Sequence, residues 1–147
     1  MKNILITFLL STALLAACSA ATPSTPAPTD PPNPVPGDYS PKPEDSALTR
    51  GPIFLDSTDL LTMESFPLQF SLNLKGSLPT PCHQLRISAN APDSQNEIHI
   101  AAYSVVDPNT VCAEVLEPFE ANFPLGSFPS GHYILFVNGT QVAEFDA

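Results

Sequence analysis

The chain has 147 residues, 43% of them hydrophobic and 14% charged, with 15 acidic against 5 basic side chains and a formal charge of −10 at pH 7. This excludes nucleic acid as a partner, because displacing counterions from phosphates takes clustered Lys and Arg, whereas Lys42, Arg50, Lys75 and Arg86 are scattered. The same sparsity argues against docking on anionic lipid head groups.

The first element is a leader. Lys2 gives a positive start, Ile4 to Leu10 and Ala13 to Ala17 are apolar, and small residues follow, as in a secretory signal over residues 1–17. The stretch is short for a membrane span, and the Pro-rich run beyond it offers no continuation. It ends in Leu14-Leu15-Ala16-Ala17-Cys18, which resembles the lipobox of bacterial lipoproteins. The resemblance implies cleavage before Cys18 and a diacylglycerol thioether on it. Two acyl chains hold a protein stably, since each buried CH₂ contributes about 0.8 kcal/mol. The expected location is membrane-anchored and extracytoplasmic, at the bacterial cell surface or in the periplasm. With Cys18 acylated, Cys82 and Cys112 are left as the expected disulfide in an oxidising compartment. By the chain-entropy argument such a bridge contributes roughly 3 to 4 kcal/mol.

Residues 18–50 read as a tether. Half of the 18 prolines lie between Pro23 and Pro43, interleaved with Thr, Ser, Ala and Asp. Such a segment buries too little apolar surface to offset its ordering entropy, and its prolines favour an extended polyproline conformation. The expectation is a disordered spacer, followed by a domain over 51–147.

That domain reads as all-β. Phe66, Leu68, Phe70, Leu72 and Leu74 alternate with mostly polar residues, the mark of a half-buried strand. Leu85 to Ala89 and Phe119 to Leu125 repeat the scheme, Ile98, Ile100, Ala102 and Val106 form another inward set, and Tyr133 to Val137 is apolar on both faces. Turn chemistry separates these runs at Gly76-Ser77-Leu78-Pro79, Ala91 to Ser94, Asp107-Pro108-Asn109 and Pro129 to Gly131. Asn138-Gly139 predicts a type I′ hairpin. Seven strands are expected, near 53–63, 66–75, 83–90, 97–106, 115–125, 132–138 and 141–146, in an antiparallel two-sheet sandwich. Phe54 and Leu61 stand on opposite parities, so a bulge is expected in the first of them.

The run Gly131-His132-Tyr133 through Asn138-Gly139 resembles the last hairpin of bacterial extracellular immunoglobulin-like domains, which implies an immunoglobulin-like topology but no function. The chain departs from antibody domains: Cys82 sits in a Pro-rich turn, Cys112 in a loop, and there is no Trp. As a whole it resembles bacterial surface lipoproteins with one small β domain.

No catalytic constellation, metal site or cofactor is expected. His83, His99 and His132 lack the short-range spacing of zinc ligands. Glu114, Glu117 and Glu120 diverge on a strand rather than facing each other across a cleft. Asp56, Asp59, Asp93 and Asp107 match no calcium loop, and there is no G-x-S-x-G elbow. The first functional expectation is a non-enzymatic binding or envelope-assembly module with a protein or cell-envelope partner. Its contact loops are 76–83 and 107–114, in which Leu78, Pro79, Thr80, Pro81, His83, Asp107, Pro108 and Asn109 stand out. The alternative is a peptidase inhibitor presenting 78–82. A metal-binding or hydrolytic domain ranks last, and would require a histidine to converge on carboxylates.

Overall fold

The structure is a computed structural model and describes residues 37–147; the leader, Cys18 and the spacer up to residue 36 lie outside the described residues. Eight strands are present: β1 (Thr49–Gly51), β2 (Phe54–Met63), β3 (Gln69–Leu78), β4 (Gln84–Ala89), β5 (Glu97–Val106), β6 (Glu117–Gly126), β7 (His132–Val137) and β8 (Thr140–Asp146). They form a β-sandwich of a three-stranded sheet, β2-β3-β6, and a five-stranded sheet centred on β5. β4 lies along one edge of β5. β1 and β7 share the other, β1 beside Ser104–Val106 and β7 beside Glu97–Ile100, and β8 pairs outside β7.

The core is built from the alternating sets. Phe70, Leu72 and Leu74 of β3 meet Ile98, Ile100 and Ala102 of β5 and Tyr133, Leu135 and Val137 of β7, with Ile87, Ala121 and Phe145 closing the interior. At one end Phe70, Phe128, Tyr133 and Phe145 stack with ring centroids 4.4 to 5.9 Å apart. Aromatic pairs at such spacings add to the burial energy. The Tyr133 hydroxyl reaches the Pro129 carbonyl at 2.9 Å, so its polar tip is satisfied.

Several sequence expectations need correction. There are eight strands rather than seven, and β5 and β7 run parallel. The ordered domain begins before residue 51. Residues 43–47 form a 3₁₀ turn, Tyr39 packs on the core, its carbonyl accepts from Ile87 N–H at 2.8 Å, and β1 adds to the large sheet. The physical reason is Arg86. It sits on the outer face of β4 and is only 4% exposed, because the segment before β1 covers it. Its guanidinium donates twice to Asp45, from Nε and Nη2, each at 2.8 Å, and again to Gln84. A buried guanidinium requires such a partner, and part of the expected tether supplies it.

Alternation also misled at Phe66 and Leu68. Phe66 is fully exposed and Leu68 is 42% exposed, because β3 starts only at Gln69 and the preceding residues form the β2–β3 connection, where Ser65 Oγ donates to Pro67 O. At the other end β3 runs on through Leu78. Gly76 is therefore a strand residue rather than a turn residue, and it lies opposite the bulge in β2 between Leu55 and Ser57. A Cβ there would overlap the Phe54 carbonyl, so the expected bulge and Gly76 require each other. Val106 lies at the rim of a surface cleft rather than in the core.

Candidate functional site

Three connections cross between the sheets at the same end of the sandwich: 52–53 from β1 to β2, 79–83 from β3 to β4, and 107–116 from β5 to β6. The Cys82–Cys112 disulfide joins the last two, with the Cα atoms 6.0 Å apart and 30 residues between them in sequence. Ser104 Oγ, fully buried, donates to Pro52 O at 2.7 Å and pins the first crossover to β5. The two loops singled out in the sequence are thus clamped side by side. Between them lies an open cleft of about 370 Å³, toward the lower end of the range for small-ligand pockets.

Each wall has a local cause. In the first loop, His83 N–H donates to Thr80 O at 3.1 Å, and Thr80 Oγ1 shares a 2.8 Å hydrogen bond with His83 Nδ1, which turns the imidazole into the cleft. The ring lies close to β1: a Cβ at Gly51 would stand 3.5 Å from His83 Nε2 and 3.0 Å from Ser104 Oγ. In the second loop, Asp107 Oδ1 accepts from Asn109 N–H at 2.9 Å, and Thr110 N–H donates to Asp107 O at 3.1 Å. This is an Asx-type turn. Thr110, Cys112 and Glu114 then continue the lining of the cleft.

The expected residues divide. Thr80, His83, Asp107 and Pro108 line the cleft. Pro79, Pro81 and Asn109 belong to the same two loops but do not line it. Leu78 is a correction: it is 6% exposed and part of the core, because β3 extends to it. Thr110 and Glu114, within the expected contact loop 107–114, also line the cleft, as do Thr49 and Val106, which lie outside both expected loops. Thr49 was hidden because its strand was read as tether. Glu114 ends the expected contact loop and precedes β6, which starts at Glu117.

The three histidines have separate neighbours. His132 Nδ1 lies 2.9 Å from Asp146 and its Nε2 3.6 Å from Glu144, and the Asp146 hydrogen bond raises its pKa above the ordinary histidine value. His99 stacks on Phe136 and lies 3.3 Å from Glu97. With Asp93 these two place three possible metal-ligand atoms within 4.8 Å of one another. The Asp93 carboxylate accepts from the Glu97 and Gln95 amides, which lowers its pKa. Histidines therefore do meet carboxylates here, in exposed and half-buried groups at the opposite end of β5 from the disulfide loops.

Fold and cleft together define a class, a small β-sandwich domain with a disulfide-braced loop surface. Residues 72–147 match the ORF11 beta-sandwich domain, and the chain belongs to that family. No curated protein and no solved structure matches it. The match starts within β3, so β1 and β2 stand N-terminal to the matched residues.

Proposed function

We propose that the chain is a lipid-anchored, extracytoplasmic binding module that meets its partner through the disulfide-braced cleft. The observation that carries this reading is the joining of two inter-sheet crossovers by Cys82–Cys112 around a shared cleft. A surface fixed before binding loses little entropy on association. The anchor rests on the lipobox resemblance at Cys18. Among the described residues no helix is long and apolar enough to cross a membrane.

The chemistry of the walls supports a non-enzymatic role for the cleft. Thr80 and His83 form a hydroxyl–imidazole pair, but the bond uses Nδ1, and Nε2 lies toward Gly51 rather than toward a carboxylate. A nucleophile needs a base that is oriented by a third group. The inhibitor reading loses its apolar anchor, since Leu78 is in the core and the remaining loop is a tight turn closed by His83 N–H to Thr80 O.

The test is affinity capture from detergent-solubilised envelopes with the full chain and with its Cys82→Ser/Cys112→Ser variant. The expected result is a specific partner that the first retains and the second loses. Equal recovery by both would contradict the reading.

A further inference from the structure

The sequence holds one Asn-Gly pair, Asn138-Gly139. Asn is among the chemically labile residues, and a following glycine makes it most reactive, because no Cβ shields the glycine nitrogen. In an open chain the Gly139 nitrogen attacks Asn138 Cγ. The new N–C bond closes a cyclic imide, the Cγ–Nδ2 bond breaks, and the amide proton ends on the departing ammonia. Water then opens the imide at either carbonyl. One opening gives aspartate; the other gives isoaspartate, whose main chain runs on through Cβ and Cγ. Both residues are exposed, so solvent reaches them.

The fold keeps the pair out of that reaction. Asn138 and Gly139 have φ of 50° and 82°, the left-handed pair of a type I′ turn. Asn138 N–H donates to Ile100 O at 2.9 Å and holds the turn on β5. The carboxamide is clamped on the same strand, with Nδ2 donating to Ala102 O at 2.8 Å and Oδ1 accepting from Ala102 N–H at 2.9 Å. Closing the imide requires Cγ to swing onto the Gly139 nitrogen. That movement breaks both bonds to Ala102 and rotates Asn138 out of the turn conformation, so the hairpin must open first.

The product does not fit back. A carboxylate only accepts hydrogen bonds, so an aspartate oxygen in place of Nδ2 faces the Ala102 carbonyl as a second acceptor, and a bond becomes a repulsion. Isoaspartate lengthens by a methylene a turn whose ends are fixed by the pairing of Val137 with Thr140.

We propose that Asn138-Gly139 is a modification site gated by the β7–β8 hairpin. While the hairpin is closed the residue stays asparagine. Each opening exposes it to imide formation, and the deamidated product is a covalent record of that opening, held in a weakened domain. The inference stands apart from the binding-module reading.

The test incubates the detergent-solubilised full chain at mildly alkaline pH, with and without denaturing guanidinium chloride, and follows by mass spectrometry the fragment 121–144 that a Glu-specific protease releases. Conversion is expected to be at least about tenfold slower in the folded protein, because only the opened fraction reacts. In denaturant G139A should react far more slowly than the natural sequence. Protein converted in denaturant and returned to buffer should unfold at a lower urea concentration than unconverted protein taken through the same cycle, and N138D should share that direction. Conversion equally fast with and without denaturant would overturn the gating. An undiminished rate in G139A would remove Gly139 as the attacking group, and an unchanged urea midpoint after conversion would overturn the loss of the clamp.

Discussion

Asn138 does two jobs with one side chain. Its φ of 50° and that of Gly139, 82°, form the left-handed pair of a type I′ turn between β7 and β8. β7 stops pairing with β5 at Val137, and there the Asn138 carboxamide continues the ladder: Nδ2 donates to Ala102 O at 2.8 Å, and Oδ1 accepts from Ala102 N–H at 2.9 Å. Glycine would keep the turn and lose both bonds. Asn138→Gly is expected to lower stability by about 1 to 3 kcal/mol, two hydrogen bonds' worth, as measured by denaturant unfolding. Asn138→Ala should cost more, because it adds strain at positive φ. Asp45 shows how one carboxylate couples the fold to pH. Hydrogen bonds from Arg86 and from the Lys42 amide hold its pKa below the ordinary aspartate value. A depressed folded-state pKa contributes stability that is full above the unfolded value, about 3.9, and is lost as pH falls through the folded one. Thermal unfolding of the full chain should therefore drop steeply below about pH 4, and Asp45→Asn should flatten part of that drop while lowering stability at neutral pH. An equally steep fall in the variant would assign the effect to other carboxylates, such as Asp93 and Glu120, whose pKa values are also lowered.

Among the elements, the segment from Gly37 to Gly51 behaves least as its composition suggests. It contributes β1, the 3₁₀ turn and the partner of Arg86. A chain truncated to begin at Gly51 is expected to unfold at a lower urea concentration, because it loses most of the β1–β5 pairing, the Tyr39 packing with its hydrogen bond from Ile87 N–H, and the Arg86–Asp45 pair. Urea unfolding of the truncated and full chains compares the two directly, and equal midpoints would return the segment to the role of spacer. The long strands were legible because each exposes one face and buries the other, so Phe70-Leu72-Leu74 and Ile98-Ile100-Ala102 announce themselves. The β7–β8 hairpin was legible from Asn138-Gly139, and the bulge from the parity change between Phe54 and Leu61. β1 was not, because three residues are too few to show a period and prolines surround them. The parallel β5–β7 pairing was not either, since parallel partners are fixed by distant contacts and not by an adjoining turn. At Phe66 and Leu68 the alternation ran on past the strand into its connection, and local pattern does not reveal where a sheet ends. The two cleft loops were visible through their prolines and aspartates. Their convergence was legible as well, from Cys82 in one and Cys112 in the other, whereas the part of β1 in the cleft was not, because Thr49 lies in a segment whose composition reads as tether.

For the whole molecule, the proposed function joins a lipid anchor at Cys18 to a recognition surface on the folded domain. The anchor is tested by Cys18→Ala, which should move the protein from the membrane pellet to the soluble fraction and abolish labelling by radioactive palmitate; retention in the pellet would remove the lipid from the account. The surface is the stronger claim, since it assigns function to one end of the sandwich and withholds it from the other, where Met63, Phe66 and Leu68 are also exposed. A photoreactive amino acid placed at Thr110 in intact cells, compared with one at Phe66, measures this directly. The account predicts a discrete adduct from Thr110 that disappears when Cys82 and Cys112 are both changed to Ser, and none of comparable yield from Phe66. Adducts from Phe66 alone, or a Thr110 adduct indifferent to the disulfide, would contradict it.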